Sequence, residues 1–440
     1  MTFHLCFGYN ESDKQVRFTI PSNERKLTMI NKFLFFSWVY HDIKDFGISR
    51  LDDLLDAGVN LPMSPMFHHN NPEDVAKIKE MLDYVHSKGL QMILSADFTN
   101  GDLDRMGEER WSEEFKKFYE ETLECHPAIY GFYVGDEPSD AYWLELTKRT
   151  IILMKQIHPN LIPYINFTGN MGPGLGPKEF GGVSMVEWLR DLSEQAGEFL
   201  HTYDQYSQVI NNEGGTSMYF NECLKNGGAS EQAGITPVAC LICSAHMVFR
   251  PVQPLYGINW QISTAAACGY KGVNWFRLCD SHLDPNYHAS PIDAFGNKTE
   301  LYYDVLRAQK TFSLHYGDIF PHLKRKSTFF FGEDKNRDSY PRFEENSHDI
   351  ITNVTSSWEE SLISFFEHDE TGEEYFCVVN LSRQHYEHYH FYGDNEKYGL
   401  RRILMNGEKQ QRVPLGLGEG QYEGFYLYPG QLELFKIVKK

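Results

Sequence analysis

The chain has 440 residues and a formal charge of −20, from 41 Lys and Arg against 61 Asp and Glu. That field repels phosphate backbones and anionic bilayers, so neither nucleic acid nor membrane is expected as a partner. Aromatic residues make up 15% of the chain and charged residues 23%, a balance that excludes disorder and supplies a sizeable core.

No apolar run approaches the roughly 20 residues of a membrane helix. Met1–Cys6 lacks the basic start and apolar stretch of a secretory signal. The eight cysteines are scattered, several inside apolar runs. They read as reduced core cysteines of a cytoplasmic protein, with a secreted or periplasmic form lacking its signal as the alternative. Cys240-Leu241-Ile242-Cys243 has redox spacing, but it lies in an apolar strand rather than at a helix start, which points to packing.

Residues 1–30 are short and mixed, and read as an N-terminal extension packing on the adjoining domain. From 31 to 320, short apolar runs alternate with amphipathic segments. The runs expected as strands are Phe33–Val39, Val59–Pro65, Gln91–Phe98, Tyr130–Gly135, Ile162–Phe167, Phe199–Tyr203, Pro237–Ala245 and Gly272–Leu278. Helical periodicity marks Pro72–Ser87, Ser112–Cys125, Asp140–Ile157, Ser184–Ala196 and Leu255–Cys268, and glycines such as Gly58, Gly89 and Gly269 stop helices before the next strand. The strands recur about every 34 residues, the length of a βα unit. Eight such units predict an α/β fold, a (β/α)8 TIM barrel, in preference to an open doubly wound sheet. From 325 to 440 helical periodicity is nearly absent. Ser327–Phe331, Leu362–Phe366, Glu374–Asn380 and Gln431–Phe435 predict a C-terminal antiparallel β-sandwich.

Chemistry in such a barrel sits at the C-terminal strand ends. The first strand ends near Trp38, the second runs into His68 and His69, and the third ends at Asp97. The fourth ends Asp136-Glu137-Pro138, the fifth at Asn166, and the sixth at Tyr203, Asp204 and Tyr206. The seventh gives His246 followed by Arg250, and the eighth gives Trp275, Arg277 and Asp280. Carboxylates beside aromatic platforms suit glycoside hydrolysis, where one carboxyl protonates the leaving oxygen and a second group stabilises or attacks the oxocarbenium-like centre. Asp136 and Glu137 are adjacent and push each other's titration apart; a continuing strand would point them to opposite sides. The tripeptide also suits a helix start, with Asp136 as cap. Asp204 suits a structural pair with Arg277. His68-His69 offers no spaced metal partner. The glycine-rich stretch Gly169–Gly182 reads as a loop over the site, with Asn170 and Met171 near substrate. No metal or organic cofactor is implied.

The segment Ile129–Pro138 resembles the fourth strand of (β/α)8 retaining glycoside hydrolases, the clan of β-galactosidases and many endoglycanases. Trp275-Phe276-Arg277, the stretch Ser290–Asn297 and the appended sandwich are similar to that clan as well. The resemblance implies that Glu137 is the acid/base. Two positions depart from the pattern: Asp136 stands where the clan has Asn, and Pro237–His246 holds no Glu for a nucleophile. The Asp-Glu pair is instead similar to hexosaminidases that use the substrate's acetamido group. That likeness implies that Asp136 polarises the acetamide, with Tyr203 or Tyr206 on its oxygen. Alternatively Asp204 or Asp280 serves as nucleophile or base. The expectation is a carbohydrate-active hydrolase acting on an oligosaccharide or glycoside, with Trp38, His68, Asp97, Asn166, Tyr203, Tyr206, His246, Trp275 and Arg277 binding substrate. A carbohydrate-binding barrel without turnover is the alternative.

Overall fold

The computed structural model describes residues 31–169, 180–204, 206, 215–247, 249, 255–332, 341–357, 360–407, 409–413, 415–416 and 425–440. The first eleven elements are β1 (Leu34–Ser37), α1 (Ile48–Asp56), β2 (Met63–Phe67), α2 (Pro72–Ser87), β3 (Met92–Ala96), α3 (Asn100–Met106), α4 (Glu108–Lys117), β4 (Ile129–Asp136), α5 (Ala141–Ile157), β5 (Tyr164–Phe167) and α6 (Met185–Ala196). They are followed by β6 (Leu200–Asp204), α7 (Gly215–Ala233), β7 (Pro237–Ile242), β8 (Ala245–His246), α8 (Tyr256–Ala267), β9 (Gly272–Phe276), β10 (Tyr287–His288) and α9 (Glu300–Tyr316). All eight expected barrel strands are present. Ser112–Cys125, expected as one helix, is instead the end of α4 followed by a π-helical turn, Phe118–Thr122.

Eight parallel strands form one sheet in the order β1-β9-β7-β6-β5-β4-β3-β2. The remaining seam, between β1 and β2, is closed by backbone and by one side chain. The Asn60 and Leu61 N–H groups donate to Phe35 O, while Asn60 Oδ1 accepts from Phe35 N at 2.8 Å and Asn60 Nδ2 donates to Phe33 O at 2.9 Å. Asp42 and Met66 form a parallel bridge above it. The helices run back outside the sheet, so each strand has an inner face toward the barrel axis and an outer face toward helices. The inner cluster includes Leu34, Phe36, Trp38, Tyr133, Tyr164, Leu200, Cys240 and Phe276.

Beyond α9 come β11 (Leu323–Phe331), β12 (Asn353–Thr355), β13 (Ser361–His368), β14 (Glu374–Asn380), β15 (Glu387–Tyr392), β16 (Tyr398–Leu404), β17 (Lys409–Val413), β18 (Phe425–Leu427) and β19 (Leu432–Lys439). They make an antiparallel six-stranded sheet, β11-β13-β14-β19-β16-β17, faced by a three-stranded one, β12-β15-β18. Central strands of the large sheet are apolar on both faces. Ile363, Phe365, Phe376, Val378 and Phe435 pack toward the small sheet, whereas Leu362, Phe366, Cys377, Val379 and Leu434 join the barrel's core. Double burial explains why these strands read as unbroken apolar runs. Polar ties reinforce the contact: Arg325 holds Glu231 of α7 through two N–H donors, and Lys271 donates to Phe320 O at 2.9 Å.

Among the described residues no helix is long and apolar enough to cross a membrane. Seven described cysteines are free, and six of them are buried. Cys125 departs from the expectation of core cysteines: it is exposed, in a turn at φ 49°.

Candidate active site

Strand alternation decides which side chains reach the mouth. On β6 Leu200, Thr202 and Asp204 face in, while His201 and Tyr203 face out toward α7, where both ring systems hydrogen-bond the Ser230 hydroxyl. On β9 Asn274 and Phe276 face in. Trp275 faces out, fully buried, and donates Nε1–H to Gln309 of α9 at 3.1 Å. Tyr203 and Trp275, expected to bind substrate, are therefore helix-layer packing residues. Each lies one residue from an inward position.

Strand β4 would place Asp136 on the outer face if its alternation ran undisturbed from Tyr133. It does not: Tyr133 pairs with Tyr164, but Gly135 pairs with Ile165, so β4 carries one extra residue. This bulge turns Val134 and Gly135 outward together and swings Asp136 inward opposite Asn166. A Cβ at Gly135 would lie 2.8 Å from Asn100 Nδ2, so the Asn100 amide would have to shift to admit it. The ladder ends there. Glu137 has φ 39°, a left-handed conformation that is costly for a residue with a side chain. Its N–H donates to Asn166 O at 2.9 Å. The expected opposition of Asp136 and Glu137 across a continuing strand does not occur, because the backbone turns at Glu137 and both carboxyls act on the same cluster. Asp136 is not the helix cap either. Asp140 caps α5, accepting from the Tyr142 and Trp143 N–H groups at 3.0 Å.

Asn166 organises the cluster. Its Nδ2 donates to Asp136 Oδ1 at 2.8 Å and to Asp204 Oδ1 at 3.1 Å. Its Oδ1 accepts from Thr202, whose hydroxyl pairs with Tyr164 at 2.9 Å, and Asn274 Nδ2 donates to that tyrosine at 2.7 Å. A directed chain of donors thus runs from the barrel's centre to the two carboxylates and fixes the amide's orientation. Sequence reading found Asn166 but missed Tyr164, Thr202 and Asn274; their signal was polarity at inward positions of apolar strands.

Burial raises the Asp204 carboxyl well above its ordinary range, and the hydrogen bond and charge of Glu137 raise it further, against the Asn166 donor. Asp136 is open to solvent at the floor of the mouth, yet surrounded by protein. Its pKa rises to about 6, through burial first, with Asn166 pulling down and Glu137's charge pushing up. The surroundings thus favour the neutral form of both Asp136 and Asp204.

Beside them stands an aromatic wall. Trp38 lies inside the barrel and stacks on Tyr40, with centroids 5.8 Å apart. His246 stacks on Phe276 at 4.6 Å and sits 4.8 Å from Tyr287, and Tyr206 packs against Phe249 at 5.0 Å. Burial lowers the His246 pKa, Glu137 opposing and Arg277 assisting. The β8–β10 ribbon carries His246 and Tyr287. Sequence reading missed Tyr287, which comes from a loop without a recognisable pattern.

Several expected site residues are committed elsewhere. Asp280 accepts from Arg277 at 3.2 Å, from Ser290 Oγ at 2.6 Å and from Ser290 N at 3.2 Å, all buried. It positions Arg277, which also donates to Tyr287 O at 3.1 Å. The expected Asp204–Arg277 pair is thus replaced by Asp280–Arg277. Asp97 accepts from His69 N at 2.9 Å and pairs with His69 Nδ1 at 2.7 Å, while exposed His68 lies 3.4 Å away. Burial raises the Asp97 carboxyl, but its histidine partners outweigh that and bring it to about 2. His69 also approaches Glu114 of α4, so His68 and Asp97 belong to a clasp against the helix layer. Arg250, Asn170 and Met171 lie outside the described residues.

No family model matches the chain, and no curated protein matches it in sequence. Solved structures match it in fold. A cold-adapted β-galactosidase from Rahnella sp. R3 superposes with a TM-score of 0.50 at 11% identity, covering 68% of this chain and 58% of that one. A γ-CGTase from an alkalophilic Bacillus clarkii gives 0.49 at 10% identity, covering 88% and 63%. A putative α-L-fucosidase from Bacteroides thetaiotaomicron gives 0.44 at 13%, covering 67% and 99%. This chain thus spans less than two thirds of the length of the β-galactosidase. The likeness establishes the barrel fold, and the site has to argue its own chemistry.

Proposed function

We propose that the chain hydrolyses an O-glycosidic bond, with Glu137 as proton donor. One observation carries the reading: Asp136, Glu137 and Asp204 converge at the C-terminal end of the barrel, beside aromatic rings, with a buried donor chain holding two of them. Asp204, whose carboxyl burial holds well above its ordinary range, is the neighbour that favours a proton beside Glu137. The aromatic wall gives the apolar face of a pyranose ring something flat to lie on.

The grouping also favours one mechanism. Two-carboxylate hydrolysis needs separations of about 5–5.5 Å for retention or 6.5–9.5 Å for inversion, across the bond being broken. Here Glu137 lies close enough to Asp204 to raise its titration, so the two carboxyls neighbour each other. Among the described residues, the end of β7, the strand beside β6, has Cys243, Ser244 and His246, and no carboxylate to serve as nucleophile. An acetamido group of the substrate, polarised by Asp136, fills that role. Tyr206, beside Asp204, is the tyrosine assigned to the amide oxygen in this reading. The same empty end of β7 favours the second reading, a barrel that binds sugars without cleaving them.

The test is a panel of chromogenic glycosides pairing each hexose with its N-acetyl analogue. Turnover confined to N-acetyl sugars is expected, falling about 10²–10⁴-fold in Glu137→Gln and also lost in Asp136→Asn. Turnover of plain hexosides that survives Asp136→Asn would rule out acetamido assistance. Sugar binding without turnover on any member would favour the second reading.

A further inference from the structure

The small sheet β12-β15-β18 has one face that closes the C-terminal core and one that does not. Alternation along β15 sends Glu387, Tyr389 and Phe391 in and His388, His390 and Tyr392 out; on β18 Phe425 and Leu427 go in and Tyr426 goes out. The outward positions of the three strands are Asn353, Thr355, His388, His390, Tyr392 and Tyr426, and none is Asp, Glu, Lys or Arg. A solvated sheet face in a chain this rich in charge would ordinarily carry some.

Aromatic rings gather at one end of that face. Tyr426 is 61% exposed, Tyr386 56% and Tyr428 76%. His388 pairs across the strands with Tyr426 and lies flat against it, centroids 4.2 Å apart and planes at 12°. Tyr386 lies 5.6 Å from Tyr426.

This end is held rigidly and adjoins the barrel's mouth. Fully buried Asn380 donates from Nδ2 to His385 O and Leu427 O, both at 2.9 Å, so one side chain clamps the two loops that carry Tyr386 and Tyr428. The turn after Tyr428 packs on the first turn of α8. A Cβ on Gly430 would sit 2.8 Å from Tyr256 O, and Tyr256 OH donates to Leu381 O at 3.1 Å. That helix starts on the mouth side, because it follows β7 and β8 and runs back down the barrel. The turn that follows Tyr428 thus lies against the mouth-side start of α8.

We propose that this aromatic strip binds a neutral glycan chain and extends the mouth toward a polymeric substrate. The second clause rests on the glycosidase reading; the binding itself does not. Exposed tyrosines offer a flat apolar face and a hydroxyl at its edge, which match the C–H face and hydroxyl rim of a pyranose. A nucleic acid or phosphorylated partner would call for Lys or Arg at the outward positions, and these have none. The chain's charge of −20 repels anionic polymers as well.

Native affinity electrophoresis of the full chain tests this, in gels containing hydroxyethyl cellulose, xyloglucan, galactomannan or mixed-linkage β-glucan, with polygalacturonate as the anionic control. At least one neutral polymer is expected to retard both the wild type and Glu137→Gln. Tyr426→Ala with Tyr428→Ala should weaken retention at least about tenfold, as expected from losing two stacked rings, with melting temperature and any chromogenic turnover unchanged. If the double variant melts lower, Tyr428→Ala alone decides, since it lies beyond the strand. No retention by any neutral polymer, equal retention of the variants, or stronger retention by polygalacturonate overturns the proposal. Retention without turnover of any glycoside would overturn the glycosidase reading and leave the strip standing.

Discussion

Asp136 is the residue where fold and chemistry meet most directly, and its titration is measurable. Its ordinary value is 3.8 and the fold raises it to about 6, chiefly by burial. Between those values the folded chain holds a proton that the unfolded chain has released, so stability falls as pH rises through the window. Asp136→Asn removes this effect while keeping an acceptor for Asn166. Melting temperatures of variant and wild type should therefore coincide below about pH 4 and diverge in the variant's favour toward neutrality. Contact with water screens the charge and keeps the gap modest. A gap that is flat with pH, or of opposite sign, would mean that the raised value is not a property of the folded site.

At the scale of elements, the site depends on two small departures from regular barrel geometry. The extra residue in β4 turns Asp136 inward, and the left-handed turn at Glu137 keeps the next carboxyl in the same cluster. Closure of the barrel leans similarly on Asn60, whose side chain takes a place in the hydrogen-bond ladder between β1 and β2. Asn60→Ala leaves Phe35 N–H and Phe33 O without those partners. The expected cost is about 1–3 kcal/mol, read as a lower urea midpoint at unchanged m-value. A variant as stable as the wild type would show that the backbone bonds alone close the seam. Much at this scale was legible in the sequence. The eight strands, α2 and the starts of α5 and α6 follow from local periodicity and capping residues. What was not legible was parity: Tyr203 and Trp275 sit at strand ends as expected, but on the outer face. The bulge that rescues Asp136 leaves no local signature beyond Gly135.

At the scale of the molecule, the barrel helices, the large sheet and the small sheet form successive layers. Leu362, Phe366, Val379 and Leu434 belong to the same apolar cluster as Trp260 and Phe312 of the barrel helices. Unfolding either part alone would expose that face to water. Calorimetry of the full chain should therefore show a single cooperative transition. Two resolved transitions would show that the sheets and barrel are energetically independent. Five of the strands not anticipated from sequence, β12 and β15 to β18, belong to this region. They are short or carry an outward face that is polar or only partly buried, and only their partners define them.

The sequence by itself determined the alternating βα plan, the antiparallel C-terminal region and the carboxylates at the end of β4. Those features rest on periodicity and on residues adjacent in the chain. Only the tertiary structure decided which strand-end residues face the mouth. It also brought Asp204 of β6 against Glu137 through Asn166, assigned Asp280 to Arg277, and left an uncharged ring-bearing face on the small sheet. Each of these depends on the register between strands tens to hundreds of residues apart, and register is set by packing, which no local stretch of sequence contains.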